Sequence, residues 1–334
     1  MQANITSRYS SGRSIELIAS GIPSLDTVLG GGLPLGSIVL LTEDELGIYS
    51  DMFLKTYLAQ GLVHGDAVLL ATPDSNVKTF FESLPAPMES HADEPTVKNT
   101  GEPMTIAWRY GNSNSLRDNS KQLSLSNNFT FGKRISPELL NDENIHKFST
   151  SDSEIKDVLE TLLQDIQSLA RDHNSKVQKS AKRQHLRICL HHLGSFLWCA
   201  VQEAIPKFLF KLRCIVAQYP ASVIVTLPAM VFHDRKIVSR CCQVSDVVFG
   251  LVAIDPTSNP LYSEYTGLFQ LQKISPVNSM TPLAEVSDDW AFKLIKKRLL
   301  IERLTLPPEL DTSTQREQVK DIPSCGSLKK TLDF

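Results

Sequence analysis

Between Ser20 and Thr42 the chain reads Ser-Gly-Ile-Pro-Ser-Leu-Asp-Thr-Val-Leu-Gly-Gly-Gly-Leu-Pro-Leu-Gly-Ser-Ile-Val-Leu-Leu-Thr, a glycine-studded approach that empties into a short apolar run. That pattern leads to a nucleotide-binding strand and loop, and so calls for an α/β sheet around it. A phosphate-binding loop then requires Gly-x4-Gly-Lys-Ser/Thr, because backbone N–H groups cradle the phosphates, lysine reaches the terminal ones and the hydroxyl holds Mg2+. The residues that follow are Glu43-Asp-Glu-Leu-Gly-Ile-Tyr49. Thr42 stands at the first glycine, Ile48 at the lysine and Tyr49 at the hydroxyl, and only Gly47 keeps its place.

Glu43, Asp44 and Glu45 also lay three carboxylates across the site. Like charges a few ångströms apart in a partly dry loop repel by roughly 4 kcal/mol per pair. The loop is expected to hold no ATP by itself, and no cofactor is expected.

A chain of 334 residues, 42% hydrophobic and 21% charged, has the composition of a folded globular protein. No apolar run reaches eighteen residues, and Met1 to Arg8 lacks the apolar core of a signal peptide, so the expectation is a cytoplasmic and nuclear protein with no membrane partner. With a formal net charge of only −3, nucleic-acid contact would have to come from local basic patches. Six cysteines (Cys189, Cys199, Cys214, Cys241, Cys242 and Cys325) form no Cys-x-x-Cys pair and lie mostly in apolar segments, the pattern of buried free thiols.

Short apolar runs at Ile38–Leu41 and Ala67–Ala71 predict strands buried on both faces, with a helix from Ser50 to about Leu62 between them. The clearest helix carries Ile155, Val158, Leu159, Leu162, Leu163, Ile166 and Leu169 on one stripe, with Ser151 and Glu154 as a capping box. Further strands are predicted at Met104–Tyr110, Leu186–His191, Ser222–Leu227, Asp246–Leu251 and Gly267–Ile274, with helices near Phe196–Gln218 and Phe232–Gln243. Ala291–Leu306 reads equally as a strand pair or a helix. Alternation of strand and helix makes the class α/β with a mostly parallel central sheet. The predicted organisation is an N-terminal extension over 1–19, one domain over 20–310 with polar insertions at about 85–103, 111–150 and 174–185, and a polar tail over 311–334.

Other catalytic parts are missing too. The strand after the long helix should end in an Asp that orients Mg2+, yet His191 and His192 stand there. Adjacent residues on a strand point to opposite faces and no third ligand is evident, so no metal is expected at this pair. Asp74 is the one candidate base after the second strand, displaced from the position water activation needs. Trp198, Phe208 and Phe210 read as core. Basic candidates for RNA phosphates are Arg109 between Trp108 and Tyr110, the run from Lys176 to Arg187, Arg235-Lys236 with Arg240, and Lys296 to Arg298, each of which is also readable as a solvated face.

The segment from Ser20 to Ser37 resembles the opening of RecA-like ATPase domains. Taken with Glu43–Ser50, Ile106–Tyr110, Leu193–Ser195, Leu197-Trp198, Asn259–Tyr262, Tyr265–Leu268, Ile301–Leu304, Leu306–Pro308 and Leu332–Phe334, the chain is similar nearly throughout to the fourth-subunit family of the Elongator complex. That resemblance implies a RecA-like, non-catalytic subunit joining the fifth and sixth subunits in a hetero-hexameric ring. The ring attaches to the catalytic subunits and binds tRNA in support of wobble uridine modification. Base chemistry then belongs to the radical-SAM acetyltransferase subunit, and any ATP hydrolysis to the assembled ring. Arg109, Arg235, Lys236 and Arg240 become candidates for tRNA contact, the last three also for contact in trans to a neighbour's nucleotide. The alternatives are a working ATPase with an unorthodox site and a pseudo-ATPase adaptor with no RNA contact.

Overall fold

Apolar runs four to eight residues long become strands here, and stripes at helical spacing become the helices that cover them. In the computed structural model the residues described are 7–9, 16–74, 76–88, 126–140, 143–150, 157–179, 184–255, 262, 264–274 and 290–304. They belong to one compact unit, Met1–Leu304. In chain order its strands are β1 (Ser7–Tyr9), β2 (Glu16–Ile18), β3 (Leu33–Pro34), β4 (Ile38–Thr42), β5 (Ala67–Thr72), β6 (Pro85–Pro87), β7 (Phe129–Arg134), β8 (Ile145–Ser149), β9 (Leu186–Leu190), β10 (Ala221–Leu227), β11 (Val247–Ala253), β12 (Gly267–Ile274), β13 (Trp290–Ile295) and β14 (Arg298–Arg303). Its helices are α1 (Pro23–Val28), α2 (Ile48–His64), α3 (Val77–Glu82), α4 (Val158–Lys179), α5 (Ile205–Val216) and α6 (Arg235–Val244).

The main sheet has the order β14-β13-β12-β11-β4-β10-β9-β5-β8. From β11 to β8 every neighbouring pair is parallel, and β12, β13 and β14 add an antiparallel edge. This is the α/β layout with a mostly parallel central sheet that was expected, with the strand that receives the glycine-rich approach, β4, inside the sheet. Side chains on β4 alternate between two cores. Val39 and Leu41 join the layer containing α1 and α2, while Ile38 and Leu40 join the layer containing α4 and α5. That division needs a strand apolar on both faces, and all four residues are at most 2% exposed. In α4, Val158, Leu159, Leu162, Leu163 and Ile166 are buried against the second layer, as the stripe predicts.

Several boundaries differ from expectation. Residues 16–19 belong to the body and not to an extension: Leu17, Ile18 and Ala19 are buried, and β2 pairs with β3. The polar stretches at 85–103 and 111–150 contain β6, β7 and β8, and β8 closes the parallel sheet beside β5. Their polar composition fits edge strands, which keep one face in solvent. Likewise α4 runs to Lys179, into the stretch expected as an insertion. Ser151 and Glu154 lie outside the described residues, and Asp157 Oδ1 accepts from the Glu160 N–H at 3.2 Å at the start of the helix.

The helix expected near Phe196–Gln218 is two single 3-10 turns followed by α5. Pro206 sits in the first turn of α5, where its missing N–H costs nothing, and so sets the helix start. Phe210 is a correction: it is 58% exposed, while Trp198 and Phe208 are buried. The ambiguous stretch after Ala291 is the β13–β14 hairpin, turned by Lys296 and Lys297 with φ of 48° and 62°. Two lysines in left-handed conformations are an uncommon choice for a turn that normally takes Asn or Gly, so no turn residue decided between the strand pair and the helix. Cys189 and Cys241 are buried as expected, whereas Cys199 and Cys214 are exposed.

Candidate functional site

The loop leaving β4 is filled by its own carboxylate. Asp44 Oδ1 accepts from the backbone N–H groups of Tyr49 and Ser50, both at 3.1 Å, and Oδ2 accepts from that of Ile48 at 3.2 Å. These first N–H groups of α2 have no partner within the helix, and with the helix dipole they form the anion site that a phosphate would use. Here the anion is built in, and it also explains why α2 starts at Ile48, two residues before the expected Ser50. Asp44 is 5% exposed, and Glu43 beside it 8%. Glu45 is exposed, and Ile48 points outward at the lysine position while Tyr49 packs edge-on against Phe292. Thr42 Oγ1 donates to the Phe249 carbonyl at 3.1 Å.

Gly47 survives for a reason unrelated to phosphate. Its φ is 68°, and a Cβ there would lie 2.9 Å from His192 Cε1. Glycine is thus required both by the left-handed backbone and by the approach of the imidazole.

His191 and His192 follow β9 directly, in a turn and not on the strand. His192 has φ of 51°, a left-handed conformation that folds the two imidazoles together, with ring centroids 3.8 Å apart. The expectation that they face apart therefore fails, since strict alternation ends with the strand at Leu190. His191 Nε2 is 2.6 Å from Asp51 Oδ1, and His192 Nε2 is 3.7 Å from the same oxygen. On its other side His191 Nδ1 bonds Thr72 Oγ1 at 3.0 Å, and His192 Nδ1 bonds Glu43 Oε2 at 2.7 Å. Burial alone would push the Asp51 carboxyl up, but the hydrogen bond and charge of His191, with His192 and Lys55, hold it below its ordinary value. Burial likewise disfavours a charged His192, yet Glu43 and Asp51 outweigh it and raise the imidazole above its usual range.

Asp51 is the residue that sequence reasoning missed. It lies four positions beyond Gly47, one helical turn into α2, where side chains face back over the loop. The signal available was a carboxylate on the first turn of the helix that follows a broken phosphate loop. Asp51, Thr72, Asp74, His191 and His192 line an open cleft of about 750 Å³ together with Lys55. Asp74 is exposed at its rim, its Oδ1 accepting from the Asn76 N–H at 3.0 Å.

Arg235, Lys236 and Arg240 are exposed on α6, whose start is capped by Asp234 accepting from the Lys236 N–H. Arg109 lies outside the described residues. One basic candidate is corrected: Arg187 is fully buried on β9, its Nε donating to Asp66 Oδ2 at 2.8 Å, so it is no surface cation. Exposed apolar residues collect after the carboxyl ends of adjacent parallel strands: Leu46 (80% exposed) and Ile48 follow β4, Phe196 (80%) and Leu197 follow β9, and Met230 (73%) follows β10. No described helix is long and apolar enough to cross a membrane.

A solved structure of a KaiC-like protein from Pyrococcus horikoshii OT3 superposes with a TM-score of 0.49 at 14% identity, covering 86% of this chain and 99% of that one. Elongator complex protein 4 of Homo sapiens is 32% identical, over 95% of this chain and 86% of the human protein. The same protein of Danio rerio is 31% identical over 93% and 87%, and that of Schizosaccharomyces pombe 23% identical over 98% and 94%. A family model described as PAXNEB protein matches residues 2–334. The chain belongs to the PAXNEB family, with the Elongator complex protein 4 sequences as its relatives.

Proposed function

We propose that this chain is a non-catalytic subunit of an Elongator complex, a RecA-like body that assembles with the fifth and sixth subunits into a hetero-hexameric ring and contributes to tRNA binding for wobble uridine modification. Family membership supplies the complex. The observation that carries the non-catalytic part is Asp44, whose carboxylate occupies the N–H groups of α2 that a phosphate needs. A phosphate would have to displace a covalently tethered anion and then face Glu43 without a lysine, which favours an empty loop over the working-ATPase reading.

Outward apolar residues follow three neighbouring strands, Leu46 and Ile48 after β4, Met230 after β10 and Phe196 after β9, and exposed apolar surface of this kind favours assembly with a protein partner. The catalytic subunits would dock on the assembled ring, in the cytoplasm and nucleus. For tRNA the candidates are Arg235, Lys236 and Arg240, with Arg109. The test is reconstitution with the fifth and sixth subunits, reading mass and tRNA affinity from one sample. Assembly at six subunits, with weaker tRNA binding and a shallower salt dependence when the α6 cations become alanine, supports the reading. Unchanged tRNA binding would leave the adaptor without RNA contact, and saturable micromolar ATP binding by the single chain would restore the ATPase.

A further inference from the structure

We propose that Asp51, His191 and His192 form a binding site for one divalent cation of the zinc class. Their ligand atoms all lie within 4.8 Å of one another, and two imidazole nitrogens with a carboxylate oxygen are a donor set that zinc favours. Ligands about 2.0–2.1 Å from a tetrahedral metal stand roughly 3.3 Å apart. The distances from Asp51 Oδ1 to the two Nε2 atoms, 2.6 and 3.7 Å, bracket that value, so a small rotation of the Asp51 side chain brings both into range.

The surroundings are those of a metal site and not of a chance cluster. Both histidines present Nε2 inward while Nδ1 is engaged behind, by Thr72 Oγ1 for His191 and by the Glu43 carboxylate for His192. A hydrogen bond on the far nitrogen is what fixes the tautomer and aims the free nitrogen at a metal. Glu43 is buried, and a carboxyl group placed there needs a partner, which the His192 imidazole supplies. His192 also holds φ of 51°, a left-handed conformation that a non-glycine residue adopts at a cost and that brings the two rings to one side.

On binding, both histidines present an unprotonated Nε2: any hydrogen there is given up to solvent, and the single ring hydrogen is carried on Nδ1, toward Thr72 Oγ1 for His191 and toward the Glu43 carboxylate for His192. Asp51 exchanges its hydrogen bond for a metal bond. Three protein ligands leave a fourth position, open toward the cleft with Lys55 and Asp74, for water or a ligand oxygen. The cation would clamp the start of α2 to the turn after β9, where an NTPase of this layout would hold Mg2+ through nucleotide.

The full chain, stripped with a chelator and dialysed, is titrated with zinc chloride by calorimetry, and its melting temperature is read with and without the metal. One zinc per chain and a rise in melting temperature reversed by EDTA are expected. His191→Ala, His192→Ala and the conservative Asp51→Asn should each weaken binding at least 100-fold and abolish the thermal shift. Glu43→Gln, which removes only the supporting charge, should weaken it by about 10- to 100-fold. His233→Ala, at an exposed histidine elsewhere, should bind as wild type. Cobalt should give the visible absorption of a four-coordinate nitrogen–oxygen site. No zinc uptake by the folded wild type, or uptake that persists in folded Asp51→Asn and in the double histidine variant, overturns the proposal.

Discussion

Arg187 Nε donates to Asp66 Oδ2 at 2.8 Å with both side chains fully buried, and this pair ties β9 to the turn between α2 and β5. Arg187 Nη1 also donates to the Ala19 carbonyl at 2.8 Å, and the guanidinium lies over the Tyr57 ring at 4.7 Å. A cation so placed has no water to fall back on. Asp66→Asn is expected to cost about 3–5 kcal/mol, because it strands the buried charge. Burial alone would raise the Asp66 carboxyl, but Arg187 and His185 hold it at about 2. Its folded value lies below the unfolded one, so its stabilisation is present above about pH 4 and is lost as pH falls toward 2. Denaturant unfolding at pH 7 and pH 3 checks both parts; a variant as stable as wild type at pH 7 would contradict the argument.

Asp26 behaves in the opposite sense. Burial raises its carboxyl to about 6, against hydrogen bonds from Ser126 and Ser20 that partly offset the shift. The folded state therefore binds the proton more tightly than the unfolded chain, and stability falls as pH rises from about 4 through 6. A shift of about two units corresponds to roughly 3 kcal/mol at most. Asp26→Asn keeps an acceptor for the Ser20 N–H, which Asp26 Oδ1 takes at 3.1 Å, without the charge. Its stability should be flat over this window, and a wild-type limb that persists in the variant would assign the pH dependence elsewhere.

Asp26 and Asp66 show which parts of this molecule could be read in advance. Strands β4, β5, β10 and β12 were legible because burial on both faces or strict alternation leaves a periodic trace in the sequence. β7 and β8 were not, since an edge strand with exposed residues such as Lys133 and Lys147 has the composition of a loop. Loss of the phosphate loop was legible at Ile48 and Tyr49. What replaced it was not: Asp44 reads as one more repelling charge until its bonds to three N–H groups are seen, and Asp51 meets His191 across 140 residues of chain. Contacts of that separation have no periodicity to betray them.

Because Asp44 serves as a built-in anion, its removal tests the loop directly. Asp44→Ala leaves three helix N–H groups to solvent and should lower stability by about 1–2 kcal/mol, the cost of losing a strong cap. It should not create ATP binding, since no lysine replaces the lost charge. Thermal melts and equilibrium dialysis with ATP measure the two outcomes separately. A stable variant that binds ATP at micromolar concentration would mean that Asp44 gates a working site.

In the proposed ring, the loop would meet its neighbours through the residues it turns outward. Glu43 and Asp44 are buried and bonded internally, so charge reversal there would disturb the fold before any partner felt it. Leu46 and Phe196, each 80% exposed, carry no such ambiguity. Leu46→Asp and Phe196→Asp should leave the single chain's stability within about 0.5 kcal/mol, as for surface substitutions generally. If these side chains fill pockets on neighbouring subunits, each loss is worth about 2 kcal/mol or more, roughly 30-fold in affinity. Native mass spectrometry of the chain mixed with the fifth and sixth subunits near the dissociation midpoint should then show six-subunit assemblies for wild type and smaller species for both variants. Full assembly by both variants would place the ring contacts on another face.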